Sequence, residues 1–116
     1  MNAKDYKDKV ALFHDEAELQ NAAPGVVRRI LSYSDDAMCV ENIFETGAVG
    51  SLHSHPHTQV TYIVSGRFLF TVGDEKFEVK AGDSLVKKNG VIHGCTALEG
   101  GVMIDFFTPL REDFIK

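Results

Sequence analysis

Short runs of alternating apolar and polar residues recur along most of this chain, separated by glycines, prolines and acidic pairs. Side chains in an extended strand point to opposite faces in turn, so such runs read as half-buried strands, and the 3.6-residue rhythm of an amphipathic helix is nearly absent. After the turn at Asp35-Asp36, Met38, Val40, Asn42 and Phe44 alternate with Cys39, Glu41, Ile43 and Glu45; Val26 to Leu31, behind Pro24-Gly25, reads as the strand before it. Gln59 to Val64 and Arg67 to Val72 flank Ser65-Gly66, and a two-residue connection containing glycine predicts a hairpin. Lys76 to Lys80 follows the Gly73-Asp74 turn, and Ser84 to Val86 follows Ala81-Gly82-Asp83. Lys87, Lys88, Asn89 and Gly90 read as a solvated polar turn, and Val91 to Thr96 and Gly101 to Phe107 complete the set. At the start, residues 1–9 are expected to be loose, Val10 to His14 an edge strand, and Asp15 to Ala22 a helical turn stopped by Pro24-Gly25. So many short strands must close on themselves or pair as two sheets to hide their edges. With 116 residues the expectation is one all-β domain, an antiparallel jelly-roll barrel spanning residues 1–116 and able to bury about two-thirds of its unfolded surface.

Within that frame His53, His55 and Gln59 fall on one side-chain parity of the stretch Gly47 to Gly66, and His93 follows a short apolar run. Borderline divalent metals accept neutral imidazole nitrogens, so three histidines and an amide oxygen make a site with room left for water or substrate. The competing reading of Gln59 is a strand-edge cap that leaves only histidine ligands. Four uncharged donors let a divalent ion keep both its charges, which suits attracting an anion and polarising its oxygens better than holding an oxidised metal. Nickel, zinc, manganese and iron all accept such donors. His57 shares the parity but follows Pro56, and is expected at the pocket rim, touching substrate or water and not the metal. His14 is expected on the surface. Cys95 shares parity with His93, yet packing is the favoured reading of a free cysteine, and two cysteines make no disulfide framework.

Net charge bounds the partners. At -5, with Lys and Arg scattered among more numerous acids, the chain lacks the cationic face that nucleic acid requires, although a cationic pocket inside an acidic protein stays open. No apolar run approaches a membrane span, and MNAKDYKDKVALF lacks the core and cleavage site of a secretion signal, so a cytoplasmic, membrane-free protein is expected. The apolar first strands suggest a homodimer.

The two histidine stretches resemble the paired motifs of the cupin family. The first motif runs Gly, five residues, His-x-His, three or four residues, Glu, six residues, Gly; Gly47, His53, His55, Gln59 and Gly66 match its spacing, with Gln in the Glu place. Of the second, Gly82, Gly90 and His93 match, while Lys88 stands for Pro and Ala97 for Asn. The resemblance implies a double-stranded β-helix, and the departures weigh against the oxidative activities common in the family.

In the final strand Val102, Ile104 and Phe106 alternate with Met103, Asp105 and Phe107. If the second set faces the barrel interior, an acid and an aromatic ring look toward the metal, and Arg111, just beyond Pro109, can fold over the mouth. On spacing alone Asp105 reads first as a strand-end hydrogen-bond acceptor, and Phe107 is credible as ordinary core and Arg111 as a surface partner of Glu112 or Asp113. Here AAPGVVRRIL, HSHPHTQVTYIVSGRFLFTVG and IDFFTPLREDF resemble the small cupins of uronate catabolism over nearly the whole chain. That resemblance implies a metal held by His53, His55, Gln59 and His93, and catalysis by Asp105, Phe107 and Arg111. The implied substrate is a small anionic sugar acid, a 4,5-unsaturated monouronate from pectin or alginate breakdown, opened to linear 4-deoxy-5-keto-uronate. Arg111, Phe107 and His57 would contact it. A non-catalytic cupin that anchors or senses a small anion is the alternative from another class, and a small iron dioxygenase a third.

Overall fold

The computed structural model describes residues 1–116. Ten strands follow one another: β1 (Leu19–Ala23), β2 (Val26–Tyr33), β3 (Met38–Phe44), β4 (Val49–His53), β5 (Thr58–Ile63), β6 (Arg67–Val72), β7 (Glu75–Lys80), β8 (Ser84–Lys87), β9 (His93–Glu99) and β10 (Gly101–Thr108). They form two antiparallel sheets, one of six strands in the order β1-β2-β3-β10-β5-β8 and one of four in the order β4-β9-β6-β7. This is the expected all-β jelly roll, in the two-sheet form that is one of the closures the alternation allows.

The expected hairpin at Ser65-Gly66 does not form. β5 pairs with β10 and β8 in the larger sheet, whereas β6 pairs with β7 and β9 in the smaller. Ser65-Gly66 is therefore a corner between sheets, tied down by Val64 N and Ser65 N donating to Val102 O at 2.9 and 3.1 Å. Gly66 has φ +84°, and a Cβ there would lie 2.7 Å from Glu99 O and 2.9 Å from Gly101 Cα. The glycine is needed for close backbone crossing, and the same residue that suggests a tight turn serves a sheet switch.

The start of the chain also differs from expectation. Residues 1–9 are docked: Ala3 and Tyr6 are buried, Tyr6 Oη donates to Ile30 O at 2.6 Å, and Tyr33 Oη donates to Ala3 O at 2.8 Å. Two aromatic rings with satisfied hydroxyls plug one end of the barrel, which fixes the backbone around them. Val10 to His14 forms no strand; Val10 is exposed, and a single 3₁₀ turn, His14–Glu16, leads into β1, where a helical turn was expected to continue. His14 is on the surface, 2.9 Å from Glu41 Oε1.

The interior divides into two apolar clusters. Tyr6, Ile30, Tyr33, Val40 and Phe107 belong to one, and Val26, Phe44, Ile63, Phe68 and Met103 to the other. On three neighbouring strands the inward row passes from one cluster to the other through a single polar residue: Val26-Arg28-Ile30 on β2, Phe44-Asn42-Val40 on β3, and Met103-Asp105-Phe107 on β10. Gln59 and Thr61 on β5 and Lys87 on β8 continue this polar belt across the sheet. Burying polar groups between two dry cores costs stability unless each is paired, so the belt marks where the fold gives up packing for chemistry.

Candidate functional site

His53 ends β4, His55 lies in the β4–β5 connection, and His93 opens β9 directly opposite His53. The ring centroids of His53 and His93 are 4.5 Å apart, and that of His55 is 5.4 and 5.0 Å from them. One nitrogen from each converges, all within 4.8 Å of one another. The backbone sets the tautomers. His53 Nδ1 donates to Ser51 O at 2.7 Å and His93 Nδ1 to Val91 O at 3.0 Å, so in both rings the Nε2 lone pair is left free. Nε2 of His93 and Nδ1 of His55 are buried with no hydrogen-bond partner. Nδ1 of His57, outside the group, is a third such nitrogen; at His93 a cation among the three histidines would satisfy the free Nε2. Burial foremost, then the Arg111 cation, holds His55 down to about 4; burial, helped by Lys87, does the same for His93 against the opposing pull of the Val91 carbonyl. Both rings are thus neutral at pH 7, the form that ligates a metal. These residues fit a divalent metal ion, with three imidazoles available.

Gln59 joins from the other sheet. Its register on β5 is opposite Phe107 on β10 and Lys87 on β8, its Oε1 lies 3.1 Å from His55 Nε2, and its Nε2 donates to Asp105 Oδ1 at 2.8 Å. Shared strand parity is therefore not what brings His53 and Gln59 together; the chain changes sheets between them, and the barrel closes their side chains on one point. The amide presents its oxygen toward the histidines and its nitrogen toward Asp105, linking the two halves of the site. His57 stands apart from the three-nitrogen group, with Nε2 on Leu110 O at 3.0 Å and its ring 5.1 Å from His55 and 6.2 Å from Phe107.

Asp105 is buried, 3% exposed, and accepts hydrogen bonds from three side chains. Besides Gln59, Thr61 Oγ1 donates to Oδ1 and Asn42 Nδ2 donates to Oδ2 at 2.5 Å. Lys87 Nζ, also 3% exposed, is 3.9 Å from Asp105 Oδ1 and donates to Thr61 Oγ1 at 2.9 Å while resting 4.7 Å over the Phe70 ring. Burial pulls the Lys87 ammonium below the usual lysine range, and Asp105 opposes that pull. The expected solvated turn is corrected here: Lys88 is exposed, but Lys87 is the last residue of β8 and points into the barrel. Phe107 lies 5.7 Å from the His55 ring. Arg111 is held by a two-pronged ion pair with Asp113, at 3.0 Å from Nε and 2.8 Å from Nη2, and lies over Phe107 and Phe114 at 5.1 and 4.2 Å.

A cavity of about 330 Å³ opens among these groups, lined by His53, Gln59, His93, Asp105 and Phe107 together with three cations, Arg28, Lys87 and Arg111. One carboxylate faces three cations in a protein whose net charge is -5. This balance favours an anion over a cation in the cavity. Cys95 borders the cavity and packs against the second apolar cluster, and burial pushes its thiol up to about 11, which favours the protonated form and a packing role. The residues that sequence patterns left unmarked are Arg28, Asn42, Thr61 and Lys87. For the first two a signal existed, a polar residue interrupting an apolar inward row.

Comparison with known proteins agrees with this architecture. The family model "Cupin domain" matches residues 41–106. The chain is 38% identical over 103 residues to the pectin degradation protein KdgF of Dickeya dadantii (strain 3937), covering 87% of this chain and 94% of that protein. Among solved structures, an RmlC-like cupin from Shewanella frigidimarina NCIMB 400 superposes with TM-score 0.89 at 35% identity, covering 94% of this chain and 98% of that one. KdgF from Halomonas sp. superposes with TM-score 0.82 at 37% identity, covering 87% and 94%.

Proposed function

This chain belongs to the cupin family, within which it is a relative of KdgF, and on that premise we propose that it opens the ring of 4,5-unsaturated monouronates released from pectin or alginate, giving linear 4-deoxy-5-keto-uronate. The observation that carries the reading is a single buried carboxylate, Asp105, bonded through Gln59 to a three-histidine group inside a cationic cavity. A divalent ion held by His53, His55, His93 and Gln59, whether nickel, zinc, manganese or iron, supplies Lewis-acid polarisation of a substrate oxygen when bound.

The chain's own residues do the rest. Ring opening moves one proton from the C1 hydroxyl to C4: the C1–O5 bond breaks as C1 becomes an aldehyde, and the enol left at C5 becomes a ketone when C4 takes the proton. Asp105 is the group to carry it, first as base and then as acid, being the one carboxylate that lines the cavity, and its three donors fix its orientation. Such a positioned group contributes a factor of about a hundred to ten thousand. Phe107, inward on the same strand, offers a flat apolar wall for the sugar ring, and its contacts with the His55 and His57 rings keep that wall in place. Arg111 spends two donors on Asp113 and keeps one nitrogen for the substrate carboxylate, while His57, with Nε2 on Leu110 O, is not among the residues that line the cavity.

The test is to mix the metal-loaded protein with unsaturated galacturonate and follow the absorbance of the conjugated double bond. The reading expects its loss well above the buffer rate, a product of unchanged mass because the two are isomers, and a slowing of at least a hundredfold in Asp105→Asn with metal content intact. Ligand-induced stabilisation with no loss of absorbance would instead make this a binding cupin.

A further inference from the structure

The chain has four arginines, and three have carboxylate partners: Arg29 with Glu41 at 3.2 Å, Arg67 with Glu78 and Glu99, and Arg111 with Asp113. Arg28 has none within 4.0 Å, and its guanidinium makes no hydrogen bond to any protein group. Strand parity explains the contrast with its neighbour. Arg29 points outward to Glu41 and solvent, whereas Arg28 lies in the inward row of β2, between Val26 and Ile30 of the two apolar clusters, and lines the cavity. A half-buried cation in that row has lost part of its hydration without gaining a paired anion, Asp113 and Asp105 acting on it only from beyond 4.0 Å. Burial, and after it the nearby Arg111 cation, accordingly pulls it below the usual arginine range.

Its geometry is fixed from one side. The Arg28 guanidinium carbon is 3.7 Å from the centroid of the Phe114 ring, and the Arg111 guanidinium is 4.2 Å from the same ring. Phe114 is itself anchored, since its carbonyl accepts from Gln20 Nε2 at 2.6 Å and its nitrogen donates to Arg111 O at 3.0 Å. Stacking uses the face of a guanidinium and leaves its edge, where the N–H donors are, free to meet a planar anion with two parallel bonds. The Arg111 edge is already committed to Asp113. The cavity thus holds one pre-oriented, uncommitted two-pronged donor, and it belongs to Arg28.

We propose that Arg28 is the principal receptor for the carboxylate of the sugar acid, with Arg111 in a secondary place. This deepens the uronate reading and rests on it for the substrate class. It makes the site selective for an acid over the corresponding neutral sugar, because only the acid offers the Arg28 donors an anionic acceptor.

The test uses the full metal-loaded chain and the variants Arg28→Gln, Arg28→Lys and Arg111→Gln. Calorimetric titration with D-galacturonate and with D-galactose, and steady-state kinetics with unsaturated galacturonate, give two separate readouts. Losing a charged two-pronged contact predicts galacturonate affinity down about 10- to 100-fold in Arg28→Gln. Galactose affinity and metal content stay as in the wild type, and the kinetic loss falls in KM rather than kcat. Arg28→Lys recovers part of the affinity, since charge returns without the fork, and Arg111→Gln loses less than Arg28→Gln. Unchanged galacturonate affinity in Arg28→Gln, an equal loss for both sugars, a larger loss in Arg111→Gln, or no galacturonate binding to the wild type overturns the proposal. A wild type that binds galacturonate through Arg28 but leaves unsaturated galacturonate unconverted overturns the ring-opening reading alone.

Discussion

Asp105 and Lys87 form a buried pair whose strength can be measured against the fold. Both side chains are nearly inaccessible, and Nζ and Oδ1 are 3.9 Å apart. At an effective dielectric of about 20 two unit charges at that separation attract by about 4 kcal/mol. Asp105→Asn removes one charge and almost no volume, leaving a buried ammonium with Thr61 as its hydrogen-bond partner and no counter-charge. It also confronts amide donors from Gln59 and Asn42 with a side chain that is half donor. The expected cost is about 3–5 kcal/mol, the usual result of breaking one half of a buried pair. For a chain of 116 residues that lowers Tm by about 12–20 °C. Lys87→Met should cost less, about 1–2 kcal/mol for the lost Thr61 bond, because the Asp105 carboxylate keeps its three donors. The double variant removes both charges and should lose about 2–4 kcal/mol less than the sum of the single losses, because each single loss already contains the broken pair. Urea melts of the metal-free protein at pH 7 measure all four corners. Additivity within about 0.5 kcal/mol would refute the reasoning, showing that the two charges do not sense each other.

Other consequences are simpler to state. His93→Ala should abolish stoichiometric metal binding, whereas His57→Ala, outside the three-nitrogen group, should keep it, as read by elemental analysis of metal-reconstituted protein. His55 and His93 titrate near 4 in the folded chain against an ordinary value of 6.5, so between those values the unfolded chain binds more protons than the native one. Stability of the metal-free protein should therefore rise with pH from about 4 to 6.5 and gain nothing more from these groups above it; a flat profile in urea melts across that window would contradict the assignment. Gly66→Ala should destabilise the fold by about 2–4 kcal/mol, since positive φ and backbone atoms at 2.7 to 2.9 Å oppose it together. Gly82→Ala, with φ +92° and nothing within 4 Å, should cost about 1 kcal/mol.

Strand existence was legible because alternation is a local property: Met38 to Phe44 and Gly101 to Phe107 read as they fold. Sheet membership is not local. Ser65-Gly66 has the composition of a hairpin turn, and only the crossing under Gly101 makes it a corner. The histidines were legible from spacing and chemistry, but their convergence with Gln59 comes from closure of the two sheets. Lys87 was hidden by its neighbours Lys88, Asn89 and Gly90, which make a polar run, and only its register opposite Gln59 turns it inward. Ala3 and Tyr6 sit in a stretch too charged to suggest burial, and become buried because Tyr33 and Ile30 offer partners far along the chain.

The proposed chemistry rests on a divalent cation held between the two sheets. Anomalous diffraction from crystals of the reconstituted protein, recorded on either side of the absorption edge of the added metal, tests that most directly. The account predicts one strong peak per chain, bounded by nitrogens of His53, His55 and His93 with the Gln59 amide oxygen turned to it. A peak elsewhere, or none at full metal loading in solution, would contradict it.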